Sequence, residues 1–242
     1  MPTPVKLPAK VEQVIQHTDA VKSLLLRPSK KCPMFKPGQF LHLAMDPYDP
    51  SSNWPESRVF SIASSPTRRE TLKIIFSVKG AFTKRMFEEI REGDEVWVKL
   101  PYGDFTFPDD ERTLVLVAGG TGITPFLSYL EYAADRGLSN RVALCLGIRE
   151  PHHLVCGPLL RDCIMRLPDF TLKLYLEQGE GVDGFDVTGR GLIPLRELVR
   201  EDHDAYRNLY YLSGPPEMIA AFKEMLLADG IDGGSIRVDN WV

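Results

Sequence analysis

The residues with the clearest chemistry are Gly119-Gly120-Thr121-Gly122-Ile123-Thr124-Pro125, which follow the apolar run Leu114-Val115-Leu116-Val117-Ala118. Glycines let a backbone turn tightly and approach a phosphate with no Cβ in the way. Free amides at a helix start attract negative charge. Pro125 suits a first helical turn, where no amide hydrogen is needed. Gly120 and Gly122 match the first two glycines of the dinucleotide fingerprint, but Pro125 replaces the third, so that motif is incomplete. On this loop alone, nucleotide binding and a plain strand-to-helix turn both stay open. A second turn, Ser213-Gly214-Pro215-Pro216-Glu217-Met218, ends the short apolar stretch Leu209 to Leu212. Ligands of open α/β sheets gather at the carboxyl ends of the strands. Both turns therefore belong on one rim, which favours a ligand over two well-made helix starts.

Other reactive side chains form no such pattern. His152 and His153 are adjacent rather than at helical ligand spacing, and His17, His42 and His203 are isolated, so no metal site is read. Cys32, Cys145, Cys156 and Cys163 include no Cys-x-x-Cys pair, which disfavours a zinc knuckle or an iron–sulfur loop.

The elements that position these residues fall into two patterns. Ala9 to Ile15, Val21 to Arg27, Gln39 to Met45, Arg58 to Ala63, Thr71 to Lys79 and Glu95 to Leu100 are β-branched or alternating, with turn residues between them. Such spacing predicts an antiparallel barrel or sandwich. One helix interrupts it, with Phe82, Met86, Phe87 and Ile90 at helical spacing and Gly93 beyond. After Asp109-Asp110-Glu111 strands alternate with helices. Strands are expected at Leu114 to Ala118, Val142 to Leu146, Thr171 to Leu176 and Leu209 to Ser213. Helices are expected at Pro125 to Asp135, Gly157 to Arg166, Leu192 to Arg200 and Glu217 to Ala228. That alternation predicts a parallel sheet in α/β layers. The boundary is placed near residue 110, giving domains 1–110 and 111–242.

Composition removes several alternatives. The 242 residues are 43% hydrophobic and 26% charged, as in an ordinary globular protein rather than a disordered one. A net charge of −4 gives no basic field for nucleic acid. No run of about 18 apolar residues is present, so no membrane span is expected. Met1 to Lys6 lacks a signal-peptide core, so reduced thiols in a cytoplasm are expected.

Four motifs in order, Arg58-Val59-Phe60-Ser61, Gly80-Ala81-Phe82-Thr83, Gly120 to Pro125 and Ser213 to Met218, together with the two-domain pattern, resemble the ferredoxin–NADP⁺ reductase superfamily over almost the whole chain. The resemblance implies an α+β arrangement. An N-terminal six-stranded antiparallel β-barrel would bind FAD, an α/β parallel-sheet domain would bind NAD(P), and the flavin would sit in the cleft between them. By resemblance, Arg58 pairs with the FAD pyrophosphate through charge-assisted bonds. Phe60 replaces the family's tyrosine and stacks on the isoalloxazine without a hydroxyl, and Ser61 lies near N5. Gly80, Ala81, Phe82 and Thr83 hold the pyrophosphate, with Phe76 and Val78 contacting the flavin nucleotide through their backbone. Each of these also has a plain structural reading: a surface arginine, core phenylalanines, a helix cap. Ser213 stands where the family usually has the cysteine beside the nicotinamide. Gly120, Thr121, Gly122, Thr124, Gly214, Pro215 and Met218 form the NAD(P) site. Trp241 matches the terminal aromatic that covers the flavin, or else fills a hydrophobic patch.

The choice of nucleotide rests on the ribose 2′ position, where arginine favours a phosphate and a carboxylate favours a hydroxyl. Arg149 favours NADPH, Glu150 and Glu177 favour NADH, and Arg190 could add a second cation or serve a turn; the balance leans slightly to NADH. The resemblance implies hydride transfer between NAD(P)H and bound FAD, then single electrons to a separate ferredoxin- or flavodoxin-like acceptor or an oxygenase component. Arg68-Arg69 and Lys84-Arg85 are the places where an acidic acceptor could dock. Two other readings stay open: a free-flavin reductase, and a non-catalytic FAD-binding relay subunit of a larger complex.

Overall fold

The computed structural model describes residues 3–108 and 112–239. The chain forms two compact units. The first comprises the chain through Phe107 together with Thr124–Tyr132; the second comprises Pro108–Ile123 and the chain from Ala133 onward.

The first unit is a six-stranded antiparallel sheet of β1 (Val5–Gln16), β2 (Val21–Pro28), β3 (Phe40–Ala44), β4 (Ser57–Ser61), β5 (Leu72–Ser77) and β6 (Glu95–Tyr102), in the order β4-β3-β6-β1-β2-β5. The Ala63 amide donates to the Lys73 carbonyl at 2.7 Å, so the two edges meet and the sheet curls into a nearly closed barrel. Strand alternation decides what fills it. Leu7, Ala9 and Val11 of β1 and Val96, Val98 and Leu100 of β6 point inward. Helix α1 (Ala81–Glu89) plugs one opening with Phe82 and Met86, four residues apart on one face. The first turns of α2 (Thr124–Arg136) also pack in this unit. The Ser128 hydroxyl donates to the Ser64 carbonyl at 2.8 Å, and Glu131 accepts from the Ser65 amide at 2.6 Å. The Phe107 and Tyr129 rings stack at 4.3 Å.

The second unit is a parallel sheet of β7 (Leu114–Gly119), β8 (Val142–Ile148), β9 (Phe170–Leu176), β10 (Val187–Arg190), β11 (Leu209–Ser213) and β12 (Ile236–Val238), in the order β10-β9-β8-β7-β11-β12. Helices α3 (Gly157–Arg166), α4 (Leu195–Glu201) and α5 (Pro216–Ala228) complete its layers. All five residues of β11 are buried, as the middle of a covered parallel sheet requires. Two strands escape the sequence pattern: β10 has four residues including a glycine, and β12 only three. Helix α4 begins at Leu195 rather than at Leu192 because Pro194 stands as its cap, and Leu192 is left exposed.

The four cysteines are buried. Burial pushes the Cys32 thiol up to about 12 and the Cys145 thiol to about 11. Among the described residues no helix is long and apolar enough to cross a membrane.

Candidate functional site

In the second unit the two glycine turns close on each other. Strands β7 and β11 are adjacent and parallel, with Ala118 opposite Ser213, so both chains leave the sheet side by side. A Cβ on Gly122 would lie 2.4 Å from the Ser213 carbonyl oxygen and 2.6 Å from the Gly214 backbone. Gly214, at φ +154°, would in turn place a Cβ 3.0 Å from the Gly119 amide. Gly119 itself meets Met218 Sδ at 2.8 Å and Pro215 Cδ at 2.9 Å by the same measure. At Gly122 the clash is with backbone and excludes a side chain, whereas at Gly119 and Gly214 it falls first on the side chains of Met218 and Pro215. Gly120, in contrast, turns through φ +53° and faces open space. Thr121 is half-buried and Thr124 buried, while Pro215 is exposed. Pro125 occupies the first turn of α2, as its missing amide hydrogen allows.

Ser213 is 1% exposed, and its hydroxyl donates to Asp239 Oδ2 at 2.8 Å. The Asp239 amide is held by the Leu212 carbonyl at 2.9 Å. Asp239 Oδ1 is buried with no hydrogen-bond partner among the described residues. Burial pushes the Asp239 carboxyl up to about 7, against the opposing pull of the Ser213 hydroxyl. Sequence reasoning passed over Asp239. Its only signal is a carboxylate one residue beyond the three-residue strand β12, which pairs with β11.

Further along the same rim, Arg149 follows β8 and is exposed. Its carbonyl accepts from the Gln178 amide at 2.8 Å, so the ends of β8 and β9 lie together. The Arg190 guanidinium donates to the carbonyls of Gly179 and Glu180, clipping that loop. Glu150 lies 3.5 Å from His152.

The first unit brings together two other motifs. The Arg58 guanidinium lies over the Phe82 ring, 5.0 Å from its centroid, and bonds Glu56 at 2.8 Å in an exposed pair. This sets Arg58 at the N-terminus of α1. There the Thr83 hydroxyl accepts from the amides of Lys79 at 2.9 Å and Gly80 at 3.1 Å and donates to the Gly80 carbonyl. The amides of Ala81, Phe82 and Thr83 have no carbonyl one turn back to bond. Gly80 has extended backbone, and a Cβ there would meet nothing within 4 Å. Phe60 and Phe76 pack edge-to-face at 6.1 Å within the barrel core, and Ser61 and Val78 are half-buried. The basic pair Lys84-Arg85 is already balanced. Arg85 holds Asp46 through two bonds of 2.8 and 3.1 Å and Glu89 at 2.9 Å, and Lys84 faces Glu88. Trp241 lies outside the described residues.

Comparison with known proteins places this geometry. Residues 116–224 match the oxidoreductase NAD-binding domain. The chain is 29% identical over 244 residues to the reductase component of propane 2-monooxygenase from Rhodococcus jostii (strain RHA1), covering 96% of this chain and 62% of that one. The Amycolatopsis cytochrome P450 reductase GcoB superposes with a TM-score of 0.83 at 24% identity, over 98% of this chain and 70% of that one. A ferredoxin NADP⁺ reductase from Neisseria gonorrhoeae, solved with bound FAD and NADP, superposes with a TM-score of 0.74 at 22% identity, over 98% and 99% of the two chains. Residues 116–224 are an oxidoreductase NAD-binding domain, and the two units share the fold of these reductases. It spans about three-fifths of the length of the curated relatives it matches.

Proposed function

We propose that this protein is an NAD(P)H-dependent flavoprotein reductase that takes a hydride from NADH or NADPH, holds FAD, and passes electrons singly to a separate ferredoxin- or flavodoxin-like protein or oxygenase component. The observation that carries this reading is the interlock of the two glycine turns at the carboxyl ends of β7 and β11. It fixes a rim of backbone around the start of α2, where amides favour a pyrophosphate. In this reading residues 111–242 bind the nicotinamide nucleotide and residues 1–110 bind FAD, in a cytoplasm that keeps the thiols reduced.

The residues present fit both groups. Gly80 leaves open space beside the unbonded amides of α1, and neither its backbone conformation nor its neighbours call for a glycine. A phosphate approaching those amides does. Arg58 exchanges Glu56 for that phosphate, with Phe82 keeping the guanidinium in place. Ser61 offers its hydroxyl from the end of β4. Gly120, Thr121, Gly122 and Thr124 cradle the nucleotide phosphates, and Gly214, Pro215 and Met218 form the facing wall. Asp239 fixes the Ser213 hydroxyl, so the group beside the nicotinamide has one orientation. Arg149, exposed just beyond β8, is the cation this rim offers to the ribose. Arg190 is engaged by carbonyls, so the balance of charge favours NADH. When bound, FAD supplies the exchange between hydride and single electrons that no side chain performs.

An anaerobic visible spectrum followed by rapid mixing with NADH and NADPH in parallel tests the reading. A yellow protein bleached fastest by NADH is the expected result. A protein that takes up no FAD sinks the holoenzyme reading in favour of flavin as a substrate. Bound FAD that neither nucleotide reduces points instead to a relay subunit.

A further inference from the structure

On the outer face of the barrel, Lys6 of β1 stands directly opposite Lys99 of β6. Directly opposed side chains of an antiparallel pair have Cβ atoms about 5 Å apart, and like charges there are destabilising. The same ladder shows the ordinary solution four residues on, where Lys10 faces Glu95. Neither Lys6 nor Lys99 makes an ion pair among the described residues; Lys73 of β5 makes none either, but it faces Leu25 rather than another cation.

The two ammonium groups lean on rings instead. Lys6 Nζ sits 4.2 Å from the centroid of Tyr48 and 5.8 Å from that of Trp54, and it donates to the Tyr48 hydroxyl at 2.5 Å. Lys99 Nζ sits 5.4 Å from the Tyr102 centroid. The rings continue to both sides. Tyr102 stacks on Phe40 at 5.5 Å and meets His42 edge-on at 4.8 Å, while Tyr48 packs on Trp97 at 5.4 Å. All these rings are half-buried, with surface left to offer. Ring faces steady a cation but leave its charge in place. His42, lowered by burial and then by Lys99, stands beside them as a neutral ring. The result is an aromatic floor carrying two uncompensated positive charges.

We propose that this β1–β6–β3 face is the docking surface for an acidic protein partner, whose carboxylates settle between Lys6 and Lys99 while its apolar centre covers the rings. This rests on the reductase reading only in that the partner is the protein that accepts electrons. The occupant follows from charge complementarity: the Lys6–Lys99 pair weakens the fold by itself and becomes favourable once a carboxylate lies between the two.

The test measures binding of an acidic [2Fe–2S] ferredoxin to the FAD-loaded protein across a salt series. The double variant Lys6→Glu, Lys99→Glu should weaken binding at least about tenfold and flatten the salt dependence. Lys99→Glu alone should weaken binding yet raise the melting temperature, because it turns a like pair into an opposite one. Tyr102→Ser should weaken binding and leave the salt slope unchanged. Lys30→Glu, elsewhere on the same unit, should change neither. The inference is overturned if the double variant binds like the parent, if Lys30→Glu does equal damage, or if the parent binds no ferredoxin. Bleaching of the flavin by NADH is followed in the same samples. Its absence from a parent that binds ferredoxin would remove the reductase reading and leave the docking face standing.

Discussion

Gly122 and Gly80 each stand where a strand gives way to a helix, yet their surroundings differ. Gly122 is hemmed in by the Ser213 carbonyl and the Gly214 backbone, so the fold itself excludes a side chain. Gly80 has extended backbone and empty space around it. The same contrast separates the side chains. Ser213 and Asp239 are buried against each other, while Arg58 and Glu56 meet in the open. In the second unit the candidate site and the hydrophobic fold are one object, and damage to either should register as lost stability. In the first unit the rim is attached to a barrel that does not depend on it, and damage should register only as lost ligand.

The sharpest way to break that contrast is through Asp239. Its folded value of about 7 lies above the ordinary carboxylate value, so the folded state holds a proton that the unfolded state gives up. The contribution of Asp239 to stability is then greatest below about pH 4, falls as pH rises toward 7, and levels off above it. A gap of roughly three units corresponds to about 4 kcal/mol. Chemical denaturation across that range should show the decline in the parent protein, and Asp239→Asn should abolish it. An unchanged slope in the variant would detach Asp239 from the effect.

Gly122→Ala comes next. Forcing a methyl group against a carbonyl oxygen should cost about 3 kcal/mol, and nucleotide binding should be lost with it. Calorimetry gives the first and titration with NADH the second. In the other unit, Arg58→Ala should leave the melting temperature of the FAD-free protein unchanged. FAD retention should fall by about 2 kcal/mol, the worth of a hydrogen bond from a charged group, as measured by flavin release on dilution. The smallest effect belongs to Gly80→Ala. Its stability should stay within about 0.5 kcal/mol of the parent, while FAD binds more weakly by a few-fold. A large loss of stability there would show that Gly80 serves the fold after all, and the contrast between the units would vanish.

What could be read in advance follows the same division. Leu114 to Ala118 and Leu209 to Leu212 are continuous apolar runs, and the structure makes them the adjacent central strands β7 and β11. The barrel strands were equally legible, because one buried face imposes alternation. Strands β10 and β12 were not, since three or four residues at a sheet edge carry too little periodicity to register. Asp239 was missed for that reason: its meaning comes from a neighbour 26 positions earlier, reached only when β12 pairs with β11. The charge pattern misled in a different way. Lys84-Arg85 looks like a docking patch in the sequence, but Asp46, 39 positions away from Arg85, closes on it. The like-charged pair set face to face is Lys6 and Lys99, which no linear reading would place together.

The buried cysteines carry a consequence for durability. Electron-handling proteins working in air generate peroxide, and a thiol is attacked through its thiolate. Cys32 and Cys145 ionise only near 12 and 11, and the other two cysteines are equally out of reach in the interior. Among the described residues, the sulfurs in harm's way are Met34 and Met165, exposed at 62% and 78%. Ageing of this protein should therefore appear in a mass spectrum as methionine sulfoxide at those two positions, well before any cysteine is altered. That damage is reversible by reductases and lies on side chains the core does not use.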